Sequence, residues 1–434
     1  MNPAPLSWPG ILRLGLVQTA LGAVVVLTTS AINRVMVIEL ALPATLPGLL
    51  VGLHYAVQMM RPRMGHGSDV GGRRTPWILG GMALLAAGGV GAAAATALMA
   101  DHLAAGIVAA LLAFVAIGLG VGAAGTSLLA LLATRTAPAR RPAAASVVWI
   151  MMIAGFVVTT AAAGALLDPF TPARLVAVSA GVSLAALLLA TVAVWGMEPA
   201  RPAAAAPAAV KPDFRAALRE AWADPDARRF TLFVFASMLA YSAQDLLLEP
   251  FAGAVFGLTL GETTRLSSLQ HGGVLAGMIL VALLGATGLG RPRGITIGGC
   301  IAAALGAASL TVGAAAPHAF PLQAACFALG LANGVFAASA IAAMMALAGE
   351  GRGGREGVRL GLWGAAQAIA FGLGGIVGTV AVDVARWALG SAPAAYGIAF
   401  AGDAALFILS AALALGIGRR AVAPPSHAFA ASGD

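Results

Sequence analysis

The chain has 434 residues, 60% of them hydrophobic and only 10% charged, with a formal net charge of +8. An ordinary soluble domain carries roughly 25% charged residues as its water-facing skin, so this composition excludes a soluble globular enzyme and a disordered chain. The mean hydropathy is +0.93 and the pI near 10.8, but the basic residues are scattered between apolar stretches instead of forming a basic domain, which excludes a nucleic-acid binder.

A spanning helix needs about 20 apolar residues. Runs of that kind, broken by Pro, Gly and charge, fall at 12–38, 44–61, 76–99, 104–133, 144–166, 175–196, 230–256, 265–287, 294–315, 320–347, 360–384 and 396–418. They predict an all-α membrane protein of twelve transmembrane helices, because β-barrel strands would be short and alternating. If the N-terminus is cytoplasmic, 21 of the 25 Lys and Arg lie on the inner side, and only Arg34, Arg174, Arg265 and Arg386 lie outside. That asymmetry places both termini in the cytoplasm. Arg13 is the only early charge and the first run is long enough to span, so no cleavable signal is expected.

Near the outer end of span 1 sit Asn33 and Arg34, followed by Glu39. An ion at membrane depth is expensive and is a functional hypothesis until it is paired. Span 2 carries His54, with Gln58 one turn on. The connection to span 3 reads G-x3-D-x2-G-R-R, with Gly65, Asp69, Gly72, Arg73 and Arg74 in those places. Glycines allow a tight turn, the acid can face a helix N-terminus, and the arginines can pair with it or with anionic headgroups. On the inner side after span 2, the pattern resembles the signature loop of the major facilitator superfamily. That resemblance implies a six-plus-six pseudo-symmetric fold in which Asp69, Arg73 and Arg74 stabilise one conformation at the cytoplasmic face. Span 5 lacks the Gly-Pro pattern of drug/proton antiporters in that superfamily.

The polar stretch 197–229, with Pro199, Pro202, Pro207, Pro212 and Pro225, is read as a cytoplasmic linker. It separates a six-helix bundle at 1–196 from a second at 230–418, with 419–434 a cytoplasmic tail. Phe214, Leu218 and Trp222 recur at helical spacing behind a potential cap at Asp213, which predicts a short interfacial helix on the inner leaflet. A docking site for a partner is the second reading of that helix.

Span 7 carries Gln244 and Asp245, then Glu249 and Pro250. Asp245 and Glu249 are four apart and share one helix face. Spans 1 and 7 correspond in the two halves, so Arg34 is expected to neutralise Asp245 or Glu249, with Glu39 near Arg265. Two readings stand: a gate of ion pairs closing the outer face, or direct handling of a ligand or proton. Span 8 holds His271 beside Gln270. A neutral imidazole suits the central metal of a tetrapyrrole and is equally a buried hydrogen-bonding group, and both readings stay open for His54 and His271. The second-half loop from Gly290 to Gly294 lacks the acid, and the glycine-rich run from Gly351 to Gly357 precedes no Lys-Ser/Thr. Gly118 and Gly122, Gly330 and Gly334, and Gly372, Gly374, Gly375 and Gly378 predict close helix approach. Asp403 is an isolated acid in span 12. Cys300 and Cys326 lie in apolar segments and imply no disulfide framework. With no catalytic constellation in view, we expect neither an enzyme nor a metal ion of the chain's own.

Two stretches carry a finer resemblance. One is N-R-V-M-x-x-E-L from Asn33 to Leu40, leading into Pro43. The other is Q-D-x-L-L-E-P from Gln244 to Pro250, continuing to Gly261, Glu262, Thr263 and Thr264. Both resemble the PucC-type bacteriochlorophyll-delivery and light-harvesting-assembly family of phototrophic bacteria, a side branch of the major facilitator superfamily, over essentially the whole chain. The resemblance implies a multi-pass protein of the bacterial inner or intracytoplasmic photosynthetic membrane. It would bind or deliver (bacterio)chlorophyll, or a precursor, to light-harvesting antenna polypeptides, with the pigment as cargo. Its implied partners are those polypeptides, the pigment or its synthesis enzymes, and the lipid bilayer, with no nucleic acid. Arg34, Glu39, Asp245 and Glu249 would form the functional core beside Asn33 and Gln244, and His54 or His271 would touch the pigment magnesium. A flat, poorly soluble macrocycle needs a greasy cavity with few polar anchors. The alternatives are a proton-coupled secondary transporter of a small solute, acting through Asp245 or Asp403, and a scaffold frozen by its ion pairs.

Overall fold

The computed structural model describes residues 5–61, 63, 64, 68, 73–137, 140–198, 222, 223, 225–287, 292–349 and 356–416. Twelve helical segments follow one another in these residues: α1 Trp8–Glu39, α2 Thr45–Val57, α3 Thr75–Met99, α4 Leu103–Arg135, α5 Arg141–Leu166, α6 Pro172–Val194, α7 Pro225–Phe256, α8 Leu260–Ala286, α9 Pro292–Ala315, α10 Leu322–Gly349, α11 Glu356–Leu389 and α12 Ala392–Gly416. Eleven of them, among the described residues, are long and apolar enough to cross a membrane. The exception, α2, tightens into a 3-10 turn at Gln58–Met60. α7 starts at Pro225 rather than at 230: proline suits a first helical turn, and Asp226 complements the dipole there. Of the expected interfacial helix, only Trp222 and Ala223 are described.

The packing is the same pattern made twice. α3 packs on α4 and α6, as α9 packs on α10 and α12; α1 packs on α5 and α6, as α7 packs on α11 and α12. The halves meet along two seams, α2 on α11 and α5 on α8. Each half has its own apolar core. Leu14, Met82, Phe114 and Ile117 anchor the first. Phe230, Phe336, Trp363 and Phe407 anchor one cluster of the second, and Phe251, Tyr396 and Phe400 another. A small cluster of Ile153, Val274 and Met278 bridges α5 and α8.

In a bilayer no hydrophobic drive pulls helices together, so close backbone packing carries more weight. On α8, a Cβ at Gly273 would lie 2.8 Å from Leu331 N, and one at Gly277 2.8 Å from Val335 N, so α8 and α10 touch backbone to backbone. At the α2–α11 seam a Cβ at Gly48 would lie 3.2 Å from Gly375 O, and one at Gly52 3.3 Å from Gly372 O.

The connections α1–α2, α5–α6, α7–α8 and α11–α12 lie at one end of the bundle, called distal here. The described chain ends, at residues 5 and 416, lie at the other, proximal end.

Candidate functional site

The distal end of α1 is built by a change of helix type. In an α-helix, residues five apart point about 140° away from each other. A π turn closes residue i to i+5 and brings such a pair onto one side. Val35–Glu39 forms such a turn, with Leu40 N donating to Val35 O at 3.0 Å. Arg34 and Glu39 are five apart, and here they form an ion pair. Arg34 is 3% exposed, and its second Nη donates to Leu258 O at 2.8 Å, reaching the connection after α7. The ion pair of Arg34 is therefore with Glu39 of its own helix and not with Asp245 or Glu249, although its charge still acts on Glu249. Arg265, expected beside Glu39, instead donates from Nε to Gly164 O at 3.3 Å.

Pro250 sits inside α7. Proline has no N–H, so the carbonyl four residues back loses its helical donor. That carbonyl belongs to Leu246, and Asn33 Nδ2 donates to it at 2.6 Å while also reaching Thr29 O at 3.1 Å. A defect in one half thus becomes the acceptor that fastens the other half to it. Gln244, on the adjacent face of α7, accepts from Asn333 Nδ2 at 3.0 Å.

Asp245 and Glu249 do share a face of α7, and that face meets α8. His271 Nε2 lies 3.7 Å from Asp245 Oδ1. Glu249 is fully buried, with the hydroxyls of Thr264 and Thr263 at 3.3 and 3.5 Å from Oε2. The Asp245 side chain is 23% exposed, unlike the buried Glu249 one turn on. Half-buried aromatics lie nearby: Tyr55 of α2 and Tyr241 of α7 stand 5.5 and 5.9 Å from Phe371 of α11.

The two histidines are prepared differently. His271 Nδ1 lies 2.8 Å from Ser267 O, and a carbonyl only accepts, so Nδ1 carries a proton and Nε2 is left facing Asp245. Around His54 the order reverses. Arg61 has donors only, and it bonds Gln58 Oε1. The Gln58 amide nitrogen then donates to His54 Nε2 at 2.8 Å, which puts the His54 proton on Nδ1, where it has no partner. His271 is therefore left with Nε2 toward Asp245, and His54 with a buried Nδ1–H that has no partner among the described residues. No cluster of three or more His, Cys, Asp or Glu residues able to hold a metal ion occurs among the described residues. Asp403 of α12 is buried with Oδ2 unpartnered.

Three carboxylates escaped the sequence reading. Asp383, near the end of α11, accepts from Ala44 N at 3.0 Å, Thr45 N at 2.7 Å and Thr45 Oγ1 at 2.6 Å, and so caps α2. Asp168, just after α5, accepts from Thr259 Oγ1 at 2.7 Å and Gly261 N at 2.8 Å, and so caps α8. The signal was available: both acids close corresponding spans, the fifth of each half. At the proximal end Glu198 accepts from Arg74 N and Thr75 N at 2.9 and 2.6 Å and caps α3. Burial works against the Glu198 charge. Hydrogen bonds from Thr75 and from the Arg74 and Thr75 amides, with the Arg74 charge, outweigh it and hold the carboxyl below its usual range. In the signature loop Gly65, Asp69 and Gly72 lie outside the described residues. Arg73 is exposed, and Arg74 donates to Ala130 O and Thr134 Oγ1 at 3.2 and 2.6 Å.

A family model described as PUCC protein matches residues 31–422. The Bacteriochlorophyll synthase 44.5 kDa chain of Rhodobacter capsulatus is 51% identical over 413 residues, covering 95% of this chain and 96% of that one. Protein PucC of Cereibacter sphaeroides is 31% identical, covering 84% and 81%. Among solved structures, a D-xylose-proton symporter superposes with a TM-score of 0.69 at 15% identity over 94% of this chain and 98% of that one, which is a likeness of fold.

Proposed function

The chain belongs to the PUCC protein family, and from that premise we propose that it is a light-harvesting assembly factor of the bacterial photosynthetic membrane that binds or delivers (bacterio)chlorophyll to antenna polypeptides. The observation that carries this reading is the family match over residues 31–422, joined by 51% identity to a protein named as a bacteriochlorophyll synthase chain. That relative bears an enzyme's name. We read the chain's own part as non-catalytic, because the family match is to PUCC protein and the fold is that of a symporter. Among the described residues Arg13, Arg73, Arg74, Arg135, Arg140, Arg141, Arg228, Arg229 and Arg293 lie toward the proximal end, which supports a cytoplasmic location for that end.

The cargo is a flat, apolar ring with a central magnesium and peripheral carbonyls. Tyr55, Tyr241 and Phe371 supply aromatic surface beside Asp245. The His271 Nε2 lone pair suits the magnesium once Asp245 turns aside, and the His54 Nδ1–H suits a ring carbonyl. Arg34, Glu39, Asn33, Gln244 and Glu249 hold the distal end of the same site. A second reading, proton-coupled transport of a small solute, draws support from the symporter-like fold and from the Asp245–His271 contact, which has room for a shared proton.

A deletion strain complemented with native and variant chains tests the proposal. Antenna absorbance should return with native protein, fall at least tenfold short with His271→Ala and Asp245→Asn, and fall by a smaller factor with His54→Ala, which removes one hydrogen bond to the ring. Native protein purified in mild detergent from a pigment-making host should carry bacteriochlorophyll or antenna subunits. Recovery of neither overturns the reading, whereas solute uptake driven by a pH gradient and lost in Asp245→Asn supports the second.

A further inference from the structure

The two distal carboxylates make one contact twice. In the pseudo-symmetric packing α2 corresponds to α8 and α5 to α11. Asp383 from the end of α11 caps α2, and Asp168 from the end of α5 caps α8, so each acid reaches across to the opposite half. The first turn of a helix has unpaired N–H groups and a positive dipole end, which a carboxylate satisfies in both respects. Both acids are half-buried at the rim, so water can take over their hydrogen bonds when the contact opens. Further described bonds between halves lie toward this end: Asn33 to Leu246, Arg34 to Leu258, Arg265 to Gly164, Ser268 to Val157 and Thr29 to Asp245. At the proximal end the described bonds from Arg13, Arg229 and Arg293 to backbone carbonyls stay within one half. The seams between halves pass glycines, Gly48 and Gly52 on α2 and Gly164 and Gly261 at α5–α8, which leaves them smooth.

We propose that Asp168 and Asp383 are twin latches that hold the distal end shut, and that their release lets the two halves part there. The chain is then a switching device and not a frozen scaffold. This inference stands on the cross-half contacts and is independent of the identity of the cargo.

Spin labels at Ala173→Cys and Ala388→Cys, exposed distal positions in opposite halves, test it in the full chain in lipid nanodiscs with the buried Cys300 and Cys326 replaced by alanine. Pulsed electron-spin distance measurement should show a short distal population. Asp168→Asn with Asp383→Asn should shift it to longer distances, with a roughly tenfold change in the open-to-closed ratio for each charged latch lost. Asp168→Glu with Asp383→Glu keeps the charges and should stay near the native distribution. A native-like distribution in the doubly neutral protein overturns the proposal. If that protein is not monodisperse, the single Asn variants are read the same way: a partial lengthening supports the latches and an unchanged distribution overturns them.

Discussion

The two ends of the bundle use the same chemical device for opposite purposes. At the proximal end Glu198 caps α3 within its own half, and Arg13 and Arg135 tie α1 and α4 to the end of α6. At the distal end Asp168 and Asp383 cap helices of the opposite half, and Asn33 and Arg34 do likewise with backbone carbonyls. A carboxylate on a helix N-terminus is a local stabiliser when both belong to one bundle and a clasp when they do not. The difference lies in which helix happens to stand beside the acid.

Variants that separate these purposes should differ in size and kind of effect. Removing Arg34 is the largest single break. Arg34→Met strands Glu39 and frees Leu258 O, and should cost about 3 kcal/mol, the low end for a broken buried pair because Glu39 still reaches solvent. Thermal unfolding of the purified chain measures it, and a change under about 1 kcal/mol would show that the pair is surface-like.

A double-mutant cycle sharpens the same end. Asn33→Leu orphans the Leu246 carbonyl and should cost about 2 kcal/mol. Pro250→Ala restores an N–H at the position that can fill that carbonyl, so adding it to Asn33→Leu should recover about 1 kcal/mol. Simple additivity of the two substitutions would mean that Asn33 does not act through the proline-freed carbonyl.

The proximal end should respond least, and to acid. Glu198 titrates below its usual range in the folded chain, so the unfolded chain binds the proton more readily. Its contribution is complete above the ordinary Glu range near about 4.3 and is lost as pH falls through the lower folded value. Glu198→Gln should cost about 1 kcal/mol at neutral pH, as for a lost helix cap partly screened by solvent, and should flatten stability between about pH 5 and pH 3. Unfolding curves against pH read both effects. The distal spin-label distances should not move in this variant.

The hydrophobic runs carry the fold because each helix must satisfy its own backbone in lipid before it meets a neighbour. The shared face of Asp245 and Glu249 was also legible, since four-residue spacing fixes it. The partners on that face were not. Arg34 turned to Glu39 because five residues at the end of α1 form a π turn, a change of one hydrogen-bond register that no side-chain pattern announces. Pro250 was visible as a residue, but its freed carbonyl had meaning only once Asn33 stood beside it. His54 and His271 looked alike in their corresponding spans, and what separates them is which ring nitrogen is already engaged: Gln58, held by Arg61, takes Nε2 of His54, and Ser267 O takes Nδ1 of His271.

Sequence alone determined that a series of apolar helices follow one another, eleven of them among the described residues long and apolar enough to cross a membrane, and where the rare ions fall along them. These are properties of single segments, set by hydrophobic length, charge cost and helical period. Tertiary structure decided which ions meet, which helix ends are capped from the other half, and that both clasps lie at one end. Asp383 and Thr45 are 338 residues apart, and a contact at that separation is fixed only when two separately built bundles come to rest against each other.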